Sequence, residues 1–291
     1  MVALLVAAGC AERHAPASAA TDFRDPEGRP VVLDTLPVRR IVSTMQSATE
    51  WLVLLGAESL LVARTDYDRQ PALQTLPSIG GGLDASAEVI AALRPDVVLG
   101  WRIRASADLQ RALAPFGIAV IEVEASDTAE IFRQLAVLGR LVGRAPRAAE
   151  LADSVRRELA ASAARCEGPP ASAFVVLSTD PPMTVGQGAW MTELLPAACL
   201  ASAFADVAMP WPTISLEALT ARQPHWIVTS LGAEDGARRA ELEALPGWRD
   251  LEAVRAGRIL EIPGDLLTRA GPTIGDWVRA VDAARRAHAG Q

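Results

Sequence analysis

The sequence predicts an α/β protein built as two Rossmann-like lobes joined by a single long connecting helix. Three observations carry this expectation. Short apolar runs alternate with helical segments, a long amphipathic stretch interrupts that alternation near mid-chain, and one segment recurs beyond the interruption. The 291 residues suit two lobes of ordinary size. With 50% hydrophobic and 22% charged residues the chain can form a large core, and disorder is excluded.

The elements follow in order. Arg40 to Thr44 is a β-rich run, and Ser47-Ala-Thr-Glu50 has the spacing of a capping box before Trp51 to Leu55, with Gly56 placed to stop the helix. Leu60 to Arg64 predicts the next strand. Glu88 to Leu93 is helical, Asp96 to Gly100 a strand, Leu109 to Phe116 helical and Ala119 to Val123 a strand. The strands are mostly apolar, as in a parallel sheet covered on both faces. From Thr128 to about Cys166, apolar residues at helical spacing predict long amphipathic helix with a break near Gly143 to Pro146. Gly168-Pro-Pro170 ends it. Alternation then resumes with Phe174 to Leu177, helices at Met191–Cys199 and Ser215–Ala221, strand Trp226–Thr229, a helix near Leu242–Ala256, strand Ile259–Ile262 and a last helix from Thr273.

The recurring segment is Ser86 to Leu99, matched by Ser215 to Val228. Each copy runs from a helix through a proline into an apolar strand, and the glutamates Glu88 and Glu217 precede their prolines by the same spacing. Helix capping explains the serines alone; two related lobes explain the matched proline and strand as well. The expected organisation is an N-terminal leader and tether over residues 1–20, one lobe over 21–142, the connecting helix over 143–167 and the second lobe over 168–291.

Met1 to Gly9 is apolar but far shorter than the ~20 residues that span a bilayer. Ala7-Ala-Gly-Cys10 resembles a lipoprotein box, which would place a lipid on Cys10; an ordinary signal peptide with a chance cysteine is the alternative. Cys166 and Cys199 sit in no CxxC pair and near no histidine, so a zinc site is not expected. Two isolated buried thiols are the first expectation, and a mutual disulfide in an exported protein is the alternative.

Composition removes several functions. All 28 basic residues are arginine, so chemistry that needs lysine is excluded. A net charge of −7 argues against nucleic acid or an anionic membrane surface. His14, His225 and His288 form no plausible triad, and no GxGxxG, P-loop or HExxH motif occurs. Neither catalytic nor metal-ligating residues are expected.

Ligands of open α/β sheets bind beyond the carboxyl ends of the strands. At those ends stand Thr65-Asp-Tyr67-Asp68, Trp101-Arg102, and Pro263-Gly-Asp265 with Arg269 four residues on. Asp265 and Arg269 could also simply pair on a helix surface. Trp211 lies between Pro210 and Pro212, which stiffen its backbone and make a contact role more plausible than a plug. Seven of the 13 aromatic residues are tryptophan. Trp51, Trp226, Trp248 and Trp277 have core-like spacing, while Trp190 follows a glycine-containing loop that could border a ligand.

Taken together, Met209-Pro-Trp-Pro-Thr-Ile-Ser-Leu-Glu217, Ala91 to Arg102, and Asp265-Leu-Leu-Thr-Arg-Ala-Gly-Pro272 resemble segments of the substrate-binding proteins of ABC importers, in the class whose lobes are joined by one long helix. That class carries cobalamin, haem and ferric siderophores, and the motifs are most similar to those of its cobalamin binders. The resemblance covers about Val38 to Ala287. It implies a cleft between the lobes lined by Tyr67, Trp101, Trp211, Asp265 and Arg269, and docking of Glu88 and Glu217 on an importer permease dimer; Arg102, beside Trp101 at the strand end, and Trp190, after its glycine-containing loop, are candidate ligand contacts by position. It also implies no catalytic cofactor, a monomer without nucleic-acid partner, a periplasmic or outer-face location, and membrane contact only through a lipid anchor. Limited closure is expected, because one stiff helix spans the hinge.

Two features depart from the cobalamin binders. Gly80-Gly-Gly82 stands where they have another cleft tryptophan, and the last helix lacks the cysteine that would pair with the position of Cys199. Two alternatives stay open. A haem or siderophore carrier would use Tyr67, the single tyrosine, or Arg102 and Arg104. A two-lobed chelatase-like enzyme would need a cleft carboxylate cluster, for which only Asp66, Asp68 and Asp265 offer themselves.

Overall fold

The computed structural model describes residues 23–230, 237–267 and 269–289; Cys10 and the expected leader lie outside them. The first lobe holds a parallel sheet of β1 (Ile41–Ser43), β2 (Val97–Gly100) and β3 (Ala119–Glu122) in that spatial order. Every residue of β1 and β2 is buried, as helices on both faces of a parallel sheet require. Those helices are α1 (Gln46–Leu54), α2 (Ala87–Leu93), α3 (Arg104–Leu113) and α4 (Thr128–Leu141).

The predicted strand at Leu60–Arg64 is not continuous. A short turn covers Glu58–Leu60, after which Leu61 bridges Ile41 and Arg64 bridges Ser78. The segment changes partner after one bridge, so no ladder develops. The predicted capping box also fails. The helix starts at Gln46, its cap residue Met45 makes no side-chain cap bond, and Ser47 is buried within the first turn. Glu50 is thereby free for a different partner.

The mid-chain stretch is two helices. Asp127 caps α4 by accepting the Glu130 N–H at 2.7 Å. The chain turns through Val142 to Arg144, with Gly143 at φ +67°, and continues as α5 (Ala145–Ala163). A Cβ on Gly139 would lie 2.5 Å from the Ala148 Cβ, so the glycine lets the two helices meet closely at their turn. On its other side α5 packs against the turn Leu195–Ala198 and the last helix. One helix therefore contacts both lobes.

The second lobe contains β4 (Ala171–Val175), the short hairpin β5 (Ser178–Thr179) and β6 (Pro182–Met183), β7 (Leu200–Ser202), β8 (Trp226–Ser230) and β9 (Ile259–Ile262). Its main sheet is parallel in the order β7-β4-β8-β9. The helices are α6 (Trp190–Leu194), α7 (Leu216–Arg222), α8 (Ala237–Ala244), α9 (Glu252–Arg255), α10 (Gly264–Leu267) and α11 (Ile274–Ala289). The single helix expected over Leu242–Ala256 breaks at Pro246-Gly247, because proline cannot occupy a helix interior and Gly247 takes φ +82°. The helix expected to reach Cys199 is shorter. Cys199 adopts φ +63° and the chain enters β7, a strand the sequence did not announce.

The recurring segment is one structure used twice. Ser86 and Ser215 cap α2 and α7 by accepting the N–H of Val89 at 3.3 Å and of Ala218 at 3.2 Å. Both helices end on a left-handed residue, Arg94 at φ 45° and Gln223 at φ 41°, immediately before the proline. Both lead into an interior strand, β2 or β8.

Cys166 and Cys199 form a disulfide with a Cα–Cα distance of 5.2 Å, which corrects the expectation of isolated thiols. Docking of the end of α5 on Leu195–Ala198 brings the two positions together, a proximity that spacing alone does not encode.

The largest apolar cluster runs without interruption from Ile41, Leu99 and Ile121 through Leu135, Leu138, Ala148 and Ala152 to Val175, Leu200 and Trp277. The lobes thus share a core. Smaller clusters cover the far face of each sheet, around Val98 in the first lobe and Phe174 in the second. Trp51, Trp226, Trp248 and Trp277 are buried, in agreement with their core-like spacing.

Candidate functional site

A cleft of about 570 Å³ lies between the lobes, at the carboxyl ends of their strands. From the first lobe come Thr44 after β1, Trp101 after β2 and Glu124 to Ser126 after β3. Leu177 and Met183 at the hairpin, Trp190 and Met191 of α6, Trp211, Leu267 of α10, Arg269 and Ala270 close it from the second. A polar extension of about 670 Å³ adjoins it, sharing Gln46, Tyr67 and Arg269 and adding Glu50, Arg69, Gln70 and Asp265.

The walls differ. The first lobe offers Thr44, Gln46, Ser47, Thr65, Tyr67, Glu124 and Ser126 beside Trp101 and Leu83. The second offers Leu177, Met183, Trp190, Met191, Trp211 and Leu267, with Arg269 as its charged group. Each wall is built by local chemistry. Asp68 ties the Thr65 loop by accepting from the Thr65 N–H at 2.7 Å and hydroxyl at 2.9 Å, and Gln46 holds the Tyr67 carbonyl at 3.0 Å. The Tyr67 ring is left exposed over the cleft. Gly82 lies so near the Thr44 carbonyl that a Cβ would stand 2.4 Å from it, which keeps this loop against the strand end. Trp101 is half-buried and leans on the shared core.

Opposite, the Trp211 loop is laid along the hairpin. Thr184 donates to the Pro212 carbonyl at 3.1 Å and Gly186 to the Pro210 carbonyl at 2.9 Å. Trp211 is half-buried with one side against the core and the other toward the cleft. Trp190 is 2% exposed and meets Trp277 edge-on at 5.6 Å, so it packs and lines the floor at once. The Trp190 backbone N–H donates to the Ser126 carbonyl at 2.8 Å, a bond between the lobes.

Asp265 and Arg269 do pair, at 2.5 Å, but a third group joins them. The Arg269 Nε donates to the Asp265 carbonyl at 2.6 Å, and Nη1 is ion-paired with Glu50 across the lobes. All three guanidinium nitrogens are thus engaged, and the Glu50 and Arg269 side chains are only 15% and 14% exposed. Burial pushes the Glu50 carboxyl above its ordinary range. Arg269 opposes this, and Asp68, Asp265 and Asp276 add to it.

Arg102 does not face the cleft. Its Nε lies 3.7 Å from the Glu122 carboxylate, in a separate small cavity on the first lobe, and its N–H donates to Glu124 at 2.9 Å. Residues that follow a strand alternate in direction, and Trp101 takes the inward position. Arg104 is fully out in solvent near Asp108. The expected cleft thus retains Tyr67, Trp101, Trp190, Trp211 and Arg269, with Asp265 in the extension. Sequence reasoning missed Glu50, Gln46 and the methionines Met45, Met183 and Met191. A lone carboxylate opening the apolar run Trp51 to Leu55, just past a strand end, was the available signal for Glu50.

Glu88 and Glu217 are exposed in the first turns of α2 and α7, and among the described residues neither carries an ion pair. The Glu217 carboxyl is held below its ordinary range by its own N–H and the Ser215 hydroxyl. Among the described residues no cluster of three or more His, Cys, Asp or Glu could hold a metal ion, and no helix is long and apolar enough to cross a membrane.

Comparison with known proteins gives this cleft its context. Residues 41–266 match the model of the periplasmic binding protein family. The uncharacterized ABC transporter substrate-binding lipoprotein YvrC of Bacillus subtilis is 30% identical over 246 residues, covering 81% of this chain and 76% of its own. The vitamin B12-binding protein of Pectobacterium atrosepticum is 27% identical over 248 residues, covering 81% and 84%. Among solved structures, a periplasmic heme binding protein from Pseudomonas aeruginosa superimposes with a TM-score of 0.71 at 29% identity, covering 85% of this chain and 92% of that one. The chain belongs to the periplasmic binding protein family, whose members are substrate-binding transport proteins rather than enzymes.

Proposed function

We propose that the chain captures a corrinoid, with cobalamin as its ligand, and delivers it to an ABC importer. One observation carries this reading: the cleft sets an apolar wall around Trp190 and Trp211 opposite a mixed wall in which Trp101 stands among hydroxyls and the Gln46 amide. A corrin is a broad, partly apolar ring fringed by amides. Trp101 and Trp211 offer rigid contact area from opposite lobes, and Thr44, Gln46, Ser126 and Tyr67 offer partners for the amide edge. The vitamin B12-binding relative supports the same choice.

In this reading Glu88 and Glu217 dock on the permease, one from each lobe, and their structural equivalence suits a symmetric dimer. Cys10 anchors the chain outside the cytoplasmic membrane, in keeping with the lipoprotein relative. Lobe closure is small, because separating or rotating the lobes would disturb a shared core.

Calorimetry with cyanocobalamin tests the ligand: saturable binding is expected, and no heat at tens of micromolar would remove the proposal. A haem reading has one observation in its favour, the exposed Tyr67 ring in the cleft. An absorbance titration with haemin that lacks a tyrosinate-type complex would exclude it. The siderophore reading loses support, because Arg102 and Arg104 face away from the cleft.

A further inference from the structure

The charges around the cleft are unevenly committed. Among the described residues Arg269 is the one cation on the wall of the main cleft, and it answers to two carboxylates, Glu50 from the first lobe and Asp265 from its own. Glu124 adds another negative charge on the first-lobe wall, and its carboxylate is turned to the Arg102 N–H rather than to a side-chain cation in the cleft. Arg69 is the other cation, and it lies in the polar extension. Three carboxylates thus surround the ligand space against two guanidinium groups, one of which is already held from both sides.

We propose that Glu50 is a specificity-determining residue that acts as a charge filter. By engaging Arg269 across the lobes it denies the cleft an uncommitted cation, so ring ligands with free carboxylates are rejected and amide-fringed ones are retained. This inference rests on the corrinoid reading and deepens it. An arginine is the natural partner of a ligand carboxylate, because its planar fork accepts one bidentately. Here two protein carboxylates hold the guanidinium first, Glu50 through Oε1 on Nη1 and Asp265 on Nη2. A ligand carboxylate entering the site must displace Glu50 into a largely buried position without a partner, or lie beside it as a like charge, and both are costly. An amide faces neither penalty. It donates to Glu50 or Asp265 and accepts from a remaining guanidinium N–H, because a guanidinium has five donors. The filter thus separates two ligands of nearly identical shape by charge alone.

The test uses the whole protein and three ligands: cyanocobalamin, a cyanocobalamin monocarboxylate in which one side-chain amide is hydrolysed to the acid, and haemin. Affinities are measured for the wild type, Glu50→Gln and, as a second variant at an exposed position on the same guanidinium, Asp265→Asn. The wild type should prefer the amide to the monocarboxylate by about tenfold or more, and Glu50→Gln should reduce that ratio to about threefold or less. Asp265→Asn should shift it in the same direction by less. A merely structural role for Glu50 would change both affinities together and leave the ratio alone, which would overturn the proposal. If cyanocobalamin binds neither protein, the corrinoid reading fails, and haemin then decides the filter. Tighter haemin binding to Glu50→Gln than to the wild type supports it, and equal behaviour overturns it.

Discussion

The two lobes use one scaffold for two different walls. Their repeated segments share a serine cap, an exposed glutamate, a left-handed residue before proline and a buried interior strand. The loops above those strands differ. The first lobe sets Trp101, Met45 and Leu83 among hydroxyls, an amide, a tyrosine and Glu124, and the second brings tryptophan, methionine and leucine around one arginine. What repeats is therefore what the fold needs, together with the glutamates proposed to dock on the permease. What diverges is the contact set, and an amphipathic ligand is the kind of object that two unlike walls fit.

Replacing Trp190 tests the second wall most severely. It is fully buried against Trp277, so Trp190→Ala should cost about 3–5 kcal/mol of folding stability. The urea midpoint would measure this, and a small change would mean the floor of the cleft is not part of the core. The disulfide sharpens the contrast, since the staple that closes a separation of 33 residues belongs to the second lobe and the end of α5. Removing it as Cys166→Ser with Cys199→Ser should cost about 3–4 kcal/mol, from loop-closure entropy. Thermal melts with and without reductant would show the same direction for the native protein.

Trp211 separates binding from stability. It is half-buried and faces the ligand space, so Trp211→Ala should weaken cyanocobalamin binding by about 2 kcal/mol or more while moving the melting temperature less than Trp190→Ala does. Unchanged affinity would return this residue to packing alone. The smallest effect concerns Glu50. Its carboxyl titrates above the ordinary range because burial outweighs Arg269, so the folded state holds that proton more tightly than the unfolded chain. The resulting penalty on folding is present at neutral pH and fades as the pH falls and the folded carboxyl is protonated. Glu50→Gln should therefore melt no lower than the wild type at pH 7, with the difference shrinking toward acid. A clear loss of stability at pH 7 would contradict this account of the pair.

Much of this architecture was legible in the chain. Alternation located most strands, and the repeated serine, glutamate and proline located equivalent helices in both lobes. Trp101 and Trp211 were found by their place at strand ends and between prolines, features of backbone chemistry that sequence carries directly. The failures are equally physical. Glu50 fits a capping box by spacing, but the helix begins two residues earlier than that box requires, and the carboxylate is drawn across the lobes by a residue more than 200 positions away. Arg102 was assigned to the cleft by adjacency to Trp101, yet neighbouring residues after a strand point apart. Cys166 and Cys199 pair through the docking of α5, which is tertiary information.

Trp101 and Trp211 are proposed to hold a corrinoid between unlike walls. A tryptophan-fluorescence titration with cyanocobalamin, run on the wild type and on Trp101→Phe with Trp211→Phe, tests it directly. Quenching should saturate at one equivalent in the wild type and fall sharply in amplitude in the double variant. Quenching of equal amplitude in both proteins, or none in the wild type, would contradict it.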